Sequence, residues 1–285
     1  MGRIHVVTDS GSDLPVDVRQ RLGIHVVPLT VQFGDEIFRD GEDISTAEFY
    51  ARLRQEKILP STCQPSPADF VALYERIAQP GDTIISIHLS SKMSGTYQSA
   101  VLASTMIDPQ ITVKAVDSKA ASLGIGVTAV AAAEAAQAGK SAEEVLEEAQ
   151  RVVECLQVYF VVDTLEYLQK NGRIGLASAM LGTLLNIKPV LTLVDGQVAP
   201  FEKIRGKTKA LKRLRELGTE FRQRYPDRKL KAALSHADNP AEAQTLAEAL
   251  VEILDLEEPV LLGEIGPTIG VHTGAGTIAL FMYSV

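Results

Sequence analysis

TIISIHLSSKMSGTYQSAVLASTM (residues 83–106) passes from an apolar run, through a turn crowded with hydroxyls, into a segment with helical spacing. The run TIISIHL (83–89) is short and rich in β-branched residues, which predicts a strand buried on both faces. A strand that feeds a helix in this way is half of a βαβ unit. The alternation recurs on either side. Strand signals at IHVV (4–7), IHVVPLTVQF (24–33) and ITVKAV (111–116) are interleaved with helical stretches near 46–55, 67–78, 96–107 and 118–138. The first half therefore reads as an α/β unit around a mainly parallel, doubly wound sheet. Its helix starts are marked: Ser66-Pro67-Ala68-Asp69 supplies an N-cap, a proline at the first helical position and an acid in the first turn. Ser141-Ala142-Glu143-Glu144 is a capping box that opens a helix over 142–156.

The second half has a different texture. VYFVVD (158–163) predicts a buried strand, and LEYLQKNG a helix after it. Asp195-Gly196 lies between two apolar runs, the strongest short-range hairpin signal in the chain. Further strands fit LKAALSH (230–236), VLLGEIG (260–266) and TIALFMYS (277–284), and an amphipathic helix spans 208–225. This half is a mixed α/β unit with antiparallel pairs. The expected division is residues 1–157 and 158–285, with no low-complexity linker between them. Units joined this closely share an interface, and such interfaces are preferred places for ligand clefts.

Composition narrows the classes. Apolar residues make up 46% of the 285, enough for a full core, and no apolar run approaches the length of a bilayer span. The start, MGRIHVVTDS, has no signal-peptide layout, and Val6 stands where a myristoylation motif needs Ser or Thr, so a cytoplasmic location is expected. Cys63 and Cys155 form no CxxC pair, which suggests neither zinc nor a disulfide framework. A net charge of −8 speaks against nucleic-acid binding. Seven basic side chains between 203 and 215 lack interleaved aromatic residues and read as a solvated helix face.

Several motifs are tested and set aside. Gly139-Lys140-Ser141 lacks the first glycine of a Walker A loop, since Glu134 stands there, and Gly139 reads better as a helix C-cap. Gly124–Ala129 and Gly274–Ala279 match the dinucleotide fingerprint without its strand–helix setting. His88, inside an apolar run, reads as a core residue. Asp9-Ser10-Gly11-Ser12-Asp13 reads as a turn. His272 differs, because VHTGAG sets it beside Thr273 and two glycines, where a ligand can approach closely.

Ser94-Gly95-Thr96 opens a helix after a strand, where free backbone N–H groups and the helix dipole favour an anion. Thr62 lies at another strand-to-helix junction, expected on the same C-terminal sheet edge, so the two hydroxyls could hold one carboxylate. Two other readings stay open at this point: ordinary helix caps, or a nucleophile at Ser94 or Cys63 with His272 as base. The last lacks a G-x-S-x-G elbow and an acid to orient the histidine.

Taken together, VVTDSGSDLP, STCQPSP, SSKMSGTYQSA, AVDSKAASLGIG, VDTLEYLQKNGRI, LLNIKPVLTLVDG and GVHTGAGTIAL resemble, end to end and in order, the DegV family of bacterial fatty-acid-binding proteins. The resemblance implies two α/β domains, with a lipid tail in an apolar tunnel and its carboxylate near the domain interface. It implies Thr62 and Ser94 as carboxylate ligands, with His272 in the same region and Cys63, Gly95, Thr96 and Thr273 around them. Arg173 and Arg205 match basic positions near the head group or a docking surface. The implied ligand is a long-chain fatty acid such as palmitate or oleate, with no other cofactor, metal or nucleic acid. The implied partner is a separate ATP-dependent fatty-acid kinase that phosphorylates the bound acid, so the chain itself is a carrier and not an enzyme. No stable membrane insertion is expected, only transient contact. Cys63 stands where the family usually has Ser, and Lys92-Met93 replaces a smaller pair, departures that bear on head-group contacts and chain-length preference. Each buried methylene contributes roughly 0.8 kcal/mol, so the tail would supply most of the gross affinity.

Overall fold

The computed structural model describes residues 2–56, 58–181 and 187–285. Residues 184–186 of the LLNIKPVLTLVDG block lie outside the described residues. The apolar runs of the first half become β1 (Ile4–Asp9), β2 (Ile24–Val27), β6 (Thr83–His88) and β7 (Thr112–Asp117), joined in the order β2-β1-β6-β7 with every pairing parallel. In β6, a central strand, every residue after Thr83 is buried, as a strand covered on both faces must be.

The stretch 24–33 is not one strand. Pro28 cannot donate to a ladder, and the chain leaves the parallel sheet there. It resumes as β3 (Thr30–Phe33), the middle of a small antiparallel sheet with β4 (Glu36–Arg39) and β5 (Ser61–Cys63). Thr62 therefore sits on this small sheet, not on the C-terminal edge of the parallel one. Pro60 and Pro65 bracket β5 and keep it short.

Helices α1 (Val16–Leu22), α2 (Thr46–Gln55), α3 (Pro67–Ile77) and α4 (Thr96–Ala103) complete the first part. Helix α3 opens on the predicted Ser66 N-cap, which forms a capping box with Asp69. Helix α5 spans Leu123–Gln137, later than the expected start at 118, because Lys119 and Ser122 adopt positive φ (51° and 55°). Twelve of its fifteen residues are buried, which explains why it shows no polar face. Helix α6 (Ala142–Cys155) opens with the Ser141–Glu144 capping box.

The second sheet runs β10-β9-β8-β13-β11-β12, mixed in direction. Its strands are β8 (Gln157–Val161), β9 (Ile187–Val194), β10 (Gln197–Arg205), β11 (Leu230–His236), β12 (Leu261–Glu264) and β13 (Ile278–Ser284). Strands β9 and β10 form the predicted hairpin, with Asp195 and Gly196 both at positive φ (48° and 77°), as a two-residue primed turn requires. Helix α7 (Glu166–Lys170) follows β8, and α8 (Lys207–Arg224) and α9 (Pro240–Leu254) cover the outer face of this sheet. Lys207, Lys212 and Arg213 of the basic stretch are held in ion pairs with acidic neighbours.

Helices α5 and α6 lie between the two large sheets: α5 touches β1, β6 and β11, and α6 touches β6, β7 and β13. One continuous core results, from Ile85 and Ile87 of β6 through Val130 to Phe160 and Phe281. Helix α10 (Pro267–Thr273), late in the chain, packs against α2, β3 and β5 of the first half. That crossing builds the site.

Candidate ligand-binding site

A cavity open at a mouth lies between the inner face of the six-stranded sheet and the loops of the first half. Strand alternation turns Val158 and Phe160 of β8, and Ala279 and Phe281 of β13, to the same side. Leu29, Leu89, Ile265 and Ile269 face them. The unfilled space is about 970 Å³ with the open solvent at its mouth included. Most of the lining is aliphatic or aromatic, and one group of polar side chains, Thr62, Gln64, Ser94, Arg173 and His272, borders one end.

That end joins four segments distant in sequence. Thr62 Oγ1 and His272 Nε2 are 2.9 Å apart, across 210 residues of chain. Ser94 Oγ lies 2.8 Å from Thr96 Oγ1 and accepts the Thr96 N–H at 3.3 Å. Gln64 Oε1 accepts the Gly95 N–H at 3.2 Å and so joins the two loops. A Cβ on Gly95 would lie 2.4 Å from Gln64 Nε2, so any larger residue there would push the Gln64 amide aside. Two of the first amides of α4 are thus already bonded, contrary to the expectation that they face a ligand. The Ser94 hydroxyl is the donor left to meet one.

Arg173 also lines the cavity. Its Nε donates to the Met93 carbonyl at 3.2 Å and its Nη1 to the Asn171 carbonyl at 2.8 Å. Asn171 in turn donates from Nδ2 to the Val271 carbonyl at 3.0 Å, next to His272. Burial, with the Arg173 charge beside it, lowers the His272 pKa to about 3, so the imidazole is neutral near pH 7. Its Nδ1 is buried and has no partner. A proton there would be a stranded donor, which places the proton on Nε2, donated to Thr62 Oγ1. The Thr62 hydroxyl hydrogen then remains available to an acceptor in the cavity.

The other predicted residues fall as follows. Cys63 lines the cavity and is exposed, a free thiol. Thr96 is buried. Thr273 lines the cavity with its hydroxyl committed to the Ile269 carbonyl at 3.2 Å. Arg205 is exposed at the end of β10 and is not among the lining residues. Lys92 is exposed, whereas Met93 lines the cavity. His88 is fully buried and bonded to Ser86 (2.6 Å) and Asp9 (3.0 Å). The hydrolase arrangement is not assembled: His272 bonds Thr62 rather than Ser94 or Cys63, no acid orients its Nδ1, and its low pKa makes it a poor base. Among the described residues no cluster of His, Cys, Asp and Glu is arranged to hold a metal ion. Gln64 and Asn171 were invisible to sequence reasoning, because an isolated amide carries no pattern.

The fold and site define a class: an α/β protein with a largely apolar cavity between its six-stranded sheet and the loops of the first half, bordered by hydroxyls, a neutral imidazole and a guanidinium. Residues 3–285 match the family model described as "Uncharacterised protein, DegV family", and the chain belongs to the DegV family. A DegV domain-containing protein of Listeria innocua is 39% identical over 280 residues, which cover 98% of this chain and 97% of that protein. Among solved structures, a fatty-acid-binding DegV family protein from Thermus thermophilus is 41% identical, with a TM-score of 0.89 over 99% of this chain and 100% of the other. DegV of Bacillus subtilis, described as a fatty acid binding protein, is 35% identical with a TM-score of 0.90 over 100% of both chains. No helix among the described residues is long and apolar enough to cross a membrane.

Proposed function

We propose that this protein is a cytoplasmic carrier that binds a long-chain fatty acid such as palmitate or oleate and presents its carboxylate to a separate ATP-dependent kinase for acyl phosphate formation. The supporting observation is the Thr62–His272 pair at the polar end of an apolar cavity, beside Ser94 and Arg173. A carboxylate there would accept from the Thr62 and Ser94 hydroxyls, with the Arg173 charge balancing its own. A sixteen-carbon tail buries about fifteen apolar carbons, roughly 12 kcal/mol of gross transfer energy, before the costs of immobilising the ligand. The head group then needs only to fix orientation, and the protein need do no chemistry on it. Residues 1–157 would supply the hydroxyls and residues 158–285 the sheet face and His272. Arg205, exposed at the end of β10, would meet the partner rather than the lipid.

Solvent extraction of the purified protein followed by mass spectrometry tests this reading. A co-purified fatty acid, or saturable binding of added palmitate or oleate, is expected; absence of both would sink the proposal. Transfer of labelled phosphate from ATP to protein-bound palmitate, dependent on an added fatty-acid kinase, tests the presentation step.

A further inference from the structure

Helix α10 carries His272 in its last turn, yet its first turn is gripped from outside by side chains of the opposite half of the chain. The Tyr50 hydroxyl of α2 donates to the Ile265 carbonyl at 2.9 Å, and both groups are buried. Asp13 Oδ1 accepts the Gly266 N–H at 2.9 Å. Asp40 Oδ2 accepts from the Thr268 hydroxyl at 2.5 Å and from the Thr268 N–H at 3.3 Å. Between these contacts and His272, Gly270 lies flat on α2: a Cβ there would sit 2.6 Å from Phe49 Cε1 and 2.8 Å from the Tyr50 oxygen. The helix is one short rigid element, so its start fixes where its last turn points.

We propose that Asp40, Asp13 and Tyr50 are positioning residues for the head-group site, holding α10 so that the His272 imidazole meets Thr62. None of the three bonds to His272, and their effect passes through α10 alone. The buried groups around them support this reading. Ser122 Oγ lies 2.5 Å from Asp13 Oδ2 and 2.9 Å from Ser235 Oγ, so the grip on α10 is tied to the start of α5 and to β11 as well. Stability of the fold alone would not require two carboxyls and a phenol to converge on one short helix. Dry carboxyls are costly, and apolar packing would hold the helix at less cost.

The inference rests on the fatty-acid reading for its consequence, but its mechanism can be measured without lipid. Palmitate affinity, thermal stability and the His272 imidazole 15N signals of lipid-free protein would be compared in Asp40→Ala, Asp40→Asn, Tyr50→Phe and Leu246→Ala. The last is a core control on the outer face of the six-stranded sheet, away from α10. Asp40→Ala should weaken palmitate binding about tenfold and shift the His272 signals, while Asp40→Asn, which keeps an acceptor for Thr268, stays within about twofold of wild type. Tyr50→Phe, the mildest change, should weaken binding about threefold with the same shift in direction, and decides the matter if Asp40→Ala does not fold. Leu246→Ala should lower stability yet leave affinity and His272 signals unmoved. Unchanged His272 signals in both the Asp40→Ala and Tyr50→Phe proteins, or the same shift in Leu246→Ala, would overturn the proposal. Failure of wild type to bind palmitate would remove the function reading, and the His272 signals would still decide this one.

Discussion

His272 combines a hydroxyl partner on one ring nitrogen with burial that keeps the ring neutral. Its burial and the neighbouring Arg173 lower its pKa to about 3, against an ordinary value of 6.5. Between those two values the unfolded chain binds the extra proton and the folded chain does not, so stability must rise with pH across this window. The contribution is fully present above pH 6.5 and is lost as pH falls toward 3. An imidazole titration by NMR should find His272 neutral at pH 5 with an Nε2-bound proton; a midpoint near 6.5 would refute the burial argument. In the same spirit, Thr62→Val removes the hydroxyl while keeping shape. It should weaken fatty-acid binding about tenfold, as expected for one lost hydrogen bond to a charged group, and lower stability by about 1–3 kcal/mol because the His272 Nε2 proton loses its acceptor. Equal affinity of Thr62→Val and wild type would place the carboxylate elsewhere.

At the scale of elements, the turn between β9 and β10 does more than reverse the chain. Gly196 adopts φ of 77°, and the Ser90 hydroxyl donates to its carbonyl at 2.7 Å. A Cβ on Gly196 would lie 2.3 Å from that hydroxyl oxygen. Gly196→Ala therefore combines left-handed strain with a collision against the loop that carries Ser94. It should destabilise the protein by about 1–3 kcal/mol and weaken fatty-acid binding too, measured by denaturant melts and ligand titration. A loss of stability with unchanged affinity would show that the hairpin does not support the loop. The grip on α10 has a pH signature of its own. Burial raises the Asp13 pKa well above its ordinary 3.8, with the nearby Asp40 and Asp9 charges adding to it and the Ser122 and Gly266 hydrogen bonds opposing it. A carboxyl that holds its proton more tightly when folded makes the folded state the better proton binder. Its effect is a loss of stability as pH rises from about 4 upward, opposite in sign to that of His272. Asp13→Asn keeps an acceptor for the Gly266 N–H and removes the ionisable group, so it should flatten this decline above pH 5 in urea melts. An unaltered pH profile would mean that Asp13 is ionised in the folded protein.

The whole molecule is where sequence and structure part company. The parallel sheet was legible because β6 carries three isoleucines in six residues within a short apolar run, and the hairpin because Asp195-Gly196 has few other uses. Ser94 and Thr62 could be singled out by their loops. The pairing of Thr62 with His272 could not, since 210 residues separate them and only the passage of α10 onto the small sheet brings them together. The cavity was equally hidden, because β8 and β13 read simply as buried strands, and nothing local says that Phe160 and Phe281 border empty space. That shared construction bears on stability. A division at 157/158 would let the parts melt separately, but one core runs from β6 through α5 to β13, with the cavity against it. Lipid held between the parts should stabilise them jointly. With palmitate at a hundred times its Kd, linkage gives about 2.7 kcal/mol, which for a chain of this length is a rise in Tm of roughly 5–10 °C. Calorimetry of lipid-stripped and reloaded protein should therefore show a single transition that moves as a whole. Two transitions, of which only one moves, would mean that one part binds the acid alone, and that the opposite wall of the cavity merely covers it.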